Sequence, residues 1–252
     1  MKKVFTFHGA DHKCGCSMIS QCVAEKIAKK RPDLSVLLVH AEESGCLGYS
    51  PKVGESMERI RPYLAERLLD VCDIVKKSEY KDNLYIISGT DKPGSSESFH
   101  PDMAEFFLKT ISQSFDIVIC DSGANMEHGL SLGALFSSDL IYIVLVQSES
   151  ALKRYEWLMP LYGKLALNLG GYVLNKFTKY SAYTRDYVKR RLKTQRERVF
   201  TVRESSFGDL AEIDEKSLLA YRDNAFAKDI DALADDILIE AGATATLEAA
   251  NG

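Results

Sequence analysis

The chain has 252 residues, enough for one large α/β domain or two small ones, and its 46% hydrophobic and 27% charged content is ordinary globular composition. A formal net charge of −4 excludes a uniformly basic coat, although a local basic patch remains compatible with it. The longest apolar runs, such as residues 140–146, are far too short to span a bilayer, and the N-terminal M-K-K-V-F-T-F-H-G breaks at His8 and Gly9 before a signal-peptide core forms. A cytoplasmic protein without direct membrane insertion is expected.

The first apolar run, residues 4–7, reads as a strand. It passes through a Gly-containing turn, G-A-D-H-K-C-G-C-S, into a helical pattern over 18–29. A second strand at 36–39 ends in the carboxylates Glu42 and Glu43. Then come a helical pattern over 57–75, a strand at 84–87, a polar loop at 92–98 and a helix at 104–112. The run at 117–120 ends in Asp121 and Gly123, and another strand covers 140–146. A helix at 151–167 leads to a strand at 172–174 that brings Asn175 to its end, where an amide could read a base. A helix at 183–193, a strand at 199–202 and a last helix at 224–239 follow. The small, polar residues 241–252 read as a flexible tail after a single domain, 1–240.

Alternation of strand and helix at this spacing predicts crossover units and a doubly wound, mostly parallel sheet with helices on both faces. About seven or eight strands are expected. Ligands of such sheets bind beyond the carboxyl ends of the strands, so the loops after each strand are the places to inspect.

After the first strand a phosphate loop would read G-x-x-x-x-G-K-[S/T]. Its backbone N–H groups cradle phosphates, its lysine reaches the terminal phosphates and its hydroxyl holds Mg²⁺. Here Ala10 occupies the first Gly position, Gly15 and Ser17 match, and Cys16 replaces the lysine. A carboxylate in the place of Asp121 contacts Mg²⁺ or its water in such proteins.

The order of these motifs resembles the MinD/ParA family of P-loop ATPases, whose deviant loop reads K-G-G-x-G-K-[S/T]. The resemblance covers residues 3 to about 240 and implies an ATP and Mg²⁺ site built from Gly9, Ala10, Asp11, His12, Lys13, Cys14, Gly15, Cys16, Ser17 and Met18. It places Asp11 at the signature lysine that reaches across a dimer and His12 and Lys13 at the following glycines. Cys16 falls at the phosphate lysine, Glu42 near the switch I aspartate, Asp121 at the switch II aspartate and Asn175 at the adenine-reading asparagine. Ser17 and Asp121 are then the Mg²⁺ residues, and Lys13, Glu42 and Asp121 the candidates for any catalytic role. With both lysines replaced, an efficient ATPase is not expected, because losing a charge-stabilising group in phosphoryl transfer costs orders of magnitude in rate. The eroded loop further resembles the TadZ/CpaE-like proteins of Flp/Tad pilus assembly. That implies a homodimeric localisation or assembly scaffold for pilus or secretion proteins, recruited to a cell pole or the inner membrane face through partners.

Two rival readings use the same residues. An active ATPase for DNA or cargo partitioning would need Lys13 to substitute for the missing lysine. A thiol or metal sensor would use His8, His12, Cys14, Cys16, His40 and Cys46, which gather at one end of the sheet, and a Cys near a helix N-terminus tends towards a lowered pKa. None of the six cysteines (14, 16, 22, 46, 72 and 120) forms a C-x-x-C pair and none has zinc-finger spacing, so zinc is not expected. The segment from Lys176 to Arg203 is rich in basic residues, with Lys176, Lys179, Arg185, Lys189, Arg190, Arg191, Lys193, Arg196 and Arg198 among interleaved tyrosines. It suggests a partner surface or a nonspecific DNA surface. The last helix is acidic, which argues against lying on a membrane.

Overall fold

A computed structural model describes residues 3–42, 49, 55–90, 99–193 and 198–243. Glu43, Cys46, the 92–98 loop, Arg196 and most of the expected tail lie outside the described residues. Strand β1 (Val4–Gly9) leads through the loop into α1 (Cys16–Lys30) and β2 (Val36–His40). A two-residue β3 (Glu55–Ser56), α2 (Met57–Ala65), α3 (Val71–Ser78), β4 (Glu79–Lys81), β5 (Leu84–Ser88) and α4 (Pro101–Ile111) follow. The chain then runs β6 (Ile117–Asp121), α5 (Gly129–Phe136), β7 (Leu140–Val146), α6 (Glu149–Lys164) and β8 (Leu169–Phe177). It finishes with α7 (Arg185–Arg191), β9 (Val199–Arg203), α8 (Gly208–Ile213) and α9 (Asn224–Glu240).

The strands form one sheet in the order β3-β5-β2-β6-β1-β7-β8-β9, with β4 pairing antiparallel to β5 and every other pairing parallel. The doubly wound, mostly parallel expectation therefore holds. Among the described residues the sheet has nine strands, more than expected. The additional strands are short: Glu55–Ser56 and Glu79–Lys81 carry no apolar run for periodicity to detect. The helical pattern at 57–75 is two helices. Arg67 turns left-handed at φ 54°, and Asp70 restarts the chain as N-cap of α3, its side chain accepting from the Asp73 N–H at 3.2 Å.

Both faces of the sheet are buried because successive side chains on the central strands point to opposite sides. Leu140, Tyr142 and Val144 of β7 pack with α1 and α9, whereas Ile141, Ile143 and Leu145 pack with α6. In β6, Ile117 and Ile119 join the α1 side, while Val118 and Cys120 pack with α4 and α5. β1 lies between β6 and β7, so the loop after it leaves the sheet where successive connections diverge to opposite sides.

Candidate functional site

The loop is fixed at its root by the sheet. The Gly9 N–H donates to the Gly123 carbonyl at 2.7 Å and the Ala10 N–H to the Val144 carbonyl at 2.8 Å, tying the exit of β1 to the ends of β6 and β7. Asp11 and the exposed His12 form the outer turn, with the Asp11 carboxylate accepting from the His12 N–H at 2.9 Å. Lys13 and Gly15 both take left-handed backbone, at φ 59° and φ 80°. Lys13 does so with a side chain, a conformation that costs about 1–2 kcal/mol for an L-residue. Gly15 is the N-cap of α1, and no side chain caps that helix. The first amides of α1 consequently have no intrahelical acceptor and point outward with the positive end of the helix dipole, which is an anion cradle. Met18 is buried behind it, its sulfur receiving the Leu218 N–H at 3.3 Å.

Asn175 closes the loop from the far side. Its Nδ2 donates to the Cys14 carbonyl at 2.8 Å, and a Cβ built on Gly15 would fall 2.5 Å from that nitrogen. Because the partner is a carbonyl, the amide orientation is forced and Oδ1 is left as the group that could meet an amino donor.

Beneath the cradle lies a buried acidic centre. Asp121 is fully buried, with Oδ2 3.2 Å from His40 Nδ1 and Oδ1 accepting from the Gly123 N–H at 3.1 Å. Burial by itself would raise its pKa, but hydrogen bonds from His40, Ser17 and Gly123, with the charge of His40, outweigh it and hold the carboxyl below the ordinary range. Ser17, at the second position of α1, is among the groups that lower the Asp121 pKa, so the two residues expected to share Mg²⁺ lie beside one another. The Cys16 thiol lies beside Asp121; burial first, then Asp121 and Glu42, push its pKa well above the usual value. Cys16 therefore brings a neutral thiol where a lysine would bring an ammonium. The Glu42 carboxylate stands over Gly123, where a Cβ would lie 2.6 Å from its Cδ.

These groups open into a cleft of about 1220 Å³. One wall is the loop with Glu42 and Gly123; the other is 175–179 with Arg203, Glu204, Asp209 and Phe226. The cleft is large enough for a nucleotide. Its glycine-lined backbone and the Ser17–Asp121 pair suit a phosphate chain with Mg²⁺, although the residue at the lysine position is uncharged.

No family model and no curated protein matches the sequence. Solved structures do match the fold. The ParA family ATPase from Chlorobium tepidum TLS superposes with a TM-score of 0.78 at 19% identity, covering 92% of this chain and 97% of that one. The septum site-determining protein MinD of Pyrococcus horikoshii OT3, complexed with Mg-ADP, gives 0.79 at 15% identity over 96% and 98%. A chain of the MinC:MinD cell division protein complex of Aquifex aeolicus gives 0.73 at 14% identity over 94% and 96%. The chain has the fold of the ParA and MinD ATPases.

On that fold the rival site residues can be placed. Cys14 is buried, and burial pushes its thiol up to about 11. Neither loop thiol has the lowered pKa expected for a Cys near a helix N-terminus, because desolvation outweighs the dipole. His8 is buried with Nδ1 2.9 Å from Ser122 Oγ, and His40 is engaged with Asp121. Among the described residues no group of three or more His, Cys, Asp or Glu side chains is arranged to hold a metal ion.

The basic segment is less free than its composition suggests. Arg191 bonds Glu156 at 2.6 Å and Glu149 at 3.3 Å, clamping α7 to α6. Arg185 donates to the Val199 carbonyl at 2.7 Å, and Arg198 pairs with Asp236 at 2.6 Å. These three arginines hold the fold together. Lys179 lies over the Tyr180 ring, Lys189 is half-buried, and Arg190 and Lys193 are exposed. Lys176 faces the loop. Asp11, at the expected dimer-spanning position, lies 3.8 Å from Arg154 of its own chain. The roles of His40, Arg154 and Lys176 at the loop were not expected. For His40 only the parallel register of β2 with β6, which the sequence does not carry, brings it to Asp121.

Proposed function

We propose that this chain is a degenerate MinD/ParA-type protein that binds ATP with Mg²⁺, hydrolyses it slowly or not at all, and acts as a dimeric localisation or assembly scaffold. The observation that carries this reading is the combination at one site of an open phosphate cradle, Ser17 beside the buried Asp121 and a neutral Cys16 thiol in place of the lysine. The amides of α1 would hold the phosphates, and Asn175 Oδ1 could accept from a base amino group. Ser17 and Asp121 would hold Mg²⁺, which when bound neutralises phosphate charge. Binding needs mostly the donors, whereas turnover needs the missing charge in the transition state. Dimerisation would use the face carrying the loop, with Asp11 and Arg154 at its edge. The eroded loop supports a narrower version, a role in Tad/Flp-type pilus or secretion assembly with recruitment through protein partners. That the MinD of Aquifex aeolicus is found in a complex with MinC is in keeping with a partner-dependent scaffold.

The test is calorimetric titration of EDTA-treated protein with ATP and Mg²⁺, beside size-exclusion mass and phosphate release. Micromolar binding with a shift to dimer and little release is expected. Absence of binding up to millimolar ATP overturns the nucleotide reading. Sustained release that disappears in Lys13→Ala overturns the slow-hydrolysis reading.

A further inference from the structure

We infer that Lys176 supplies the phosphate-binding charge that the loop lacks at Cys16; this rests on the nucleotide reading above. The geometry of β8 sets where Lys176 points. Along that strand Tyr172 and Leu174 pack on the α6 side and Val173 on the α1 side. Continued alternation would put Asn175 towards α1 and the loop, and Lys176 on the opposite face. The strand does not continue regularly. Its register with β9 shifts between Leu174 and Phe177, and Lys176 takes left-handed backbone at φ 49°. A bulge of this kind re-aims a side chain, and it turns Lys176 to the same side as Asn175. A Cβ built on Gly15 would lie 2.5 Å from Asn175 Nδ2 and 4.0 Å from Lys176 Cε. The lysine stem thus arrives at the N-cap of α1, where the phosphate cradle begins.

Two further observations support a ligand for it. Lys176 is exposed and lines the cleft. It makes no ion pair among the described residues, whereas Arg191, Arg198 and Arg203 in the same basic stretch are each tied to carboxylates. Lys13, the other lysine near the cradle, is exposed on the outer turn of the loop. Lys176 instead extends over the turn from the opposite wall, as a phosphate between the two walls would require.

The experiment is equilibrium titration with a fluorescent ATP analogue and Mg²⁺, competed with unlabelled ATP, for the wild type, Lys176→Ala, Lys176→Arg, Lys176→Gly and Lys13→Ala. Loss of one charge-assisted contact to a phosphate should weaken ATP binding about 10- to 100-fold in Lys176→Ala. Lys176→Arg should retain most of the affinity. Lys176→Gly adopts φ 49° without strain, so it should keep or raise Tm while losing affinity as Lys176→Ala does, which separates charge from folding. Wild-type binding with unchanged affinity in both Lys176→Ala and Lys176→Gly overturns this inference alone. So does a loss seen only in Lys13→Ala. Failure of the wild type to bind overturns the nucleotide reading itself.

Discussion

At the root of the loop, His8 has a tautomer that its neighbours dictate. The single hydroxyl proton of Ser122 goes to the Phe7 carbonyl at 3.1 Å, so His8 Nδ1 must donate to Ser122 Oγ, leaving Nε2 unprotonated and buried without a partner. Burial, assisted by Arg154 and only partly opposed by Asp121, lowers the ring to about 4 from 6.5. Between pH 6.5 and about 4 the unfolded chain takes up a proton that the folded chain refuses, so stability falls as pH falls through that window. Urea unfolding at pH 7 and pH 5 should show the wild type losing about 2 kcal/mol more than His8→Asn, which keeps a donor near Ser122. Equal losses would mean that the ring is protonated in the folded state. Cys16 makes the same physical point by another route. A buried thiol beside a carboxylate stays neutral, so the substitution removes charge from the phosphate site without introducing a reactive nucleophile.

Among the elements, α1 and β8 form the two jaws of the cleft, and a single side-chain bond joins them at the loop. The Cys14 carbonyl that receives Asn175 Nδ2 belongs to a residue only 1% exposed. Asn175→Ala should leave that acceptor unsatisfied and cost about 1–2 kcal/mol of stability. Hydrogen exchange should quicken at residues 11–15 while the amides of α9, packed against α1 on the far face, keep their protection. Unchanged exchange in the loop would show that the sheet anchors at Gly9 and Ala10 hold it without Asn175. The Arg191 clamp explains why α7, a helix of seven residues with a basic last turn, is docked on α6. Short helices depend on such tertiary contacts for their stability.

For the whole molecule, the consequence of the fold is coupling between nucleotide and stability. The cleft is walled by the β1–α1 loop on one side and by residues from β8, β9 and α8 on the other, so a ligand filling it links the centre of the sheet to its edge. ATP at about 100 times its Kd should stabilise the folded state by about 2.7 kcal/mol, which for a chain of this size raises Tm by roughly 5–10 °C. The rise should shrink when EDTA replaces Mg²⁺, because phosphate charge is then left to the amides and lysine alone. A rise of the same size in EDTA would remove Ser17 and Asp121 from the metal site. No helix among the described residues is long and apolar enough to cross a membrane, and the exposed flank of α9 carries Asp231 and Asp235 paired to lysines of α1.

What the sequence by itself determined is what local pattern encodes. Alternating apolar strands and helical periods specify the doubly wound sheet, because buried parallel strands need continuous hydrophobicity and crossovers need helices. A strand, a glycine turn and a helix start specify the loop, Gly15 and Ser17, and the end of β6 specifies Asp121. The tertiary structure alone decided which distant groups meet there. His40 reaches Asp121 through parallel register, Arg154 reaches Asp11 from α6, and Lys176 reaches Gly15 through a bulge. It also decided that Arg191, Arg185 and Arg198 are structural, since a basic residue and a carboxylate far apart in the chain pair only once helices are packed. Register, bulges and packing are non-local, and a one-residue shift in a strand sends a side chain to the other face of the sheet.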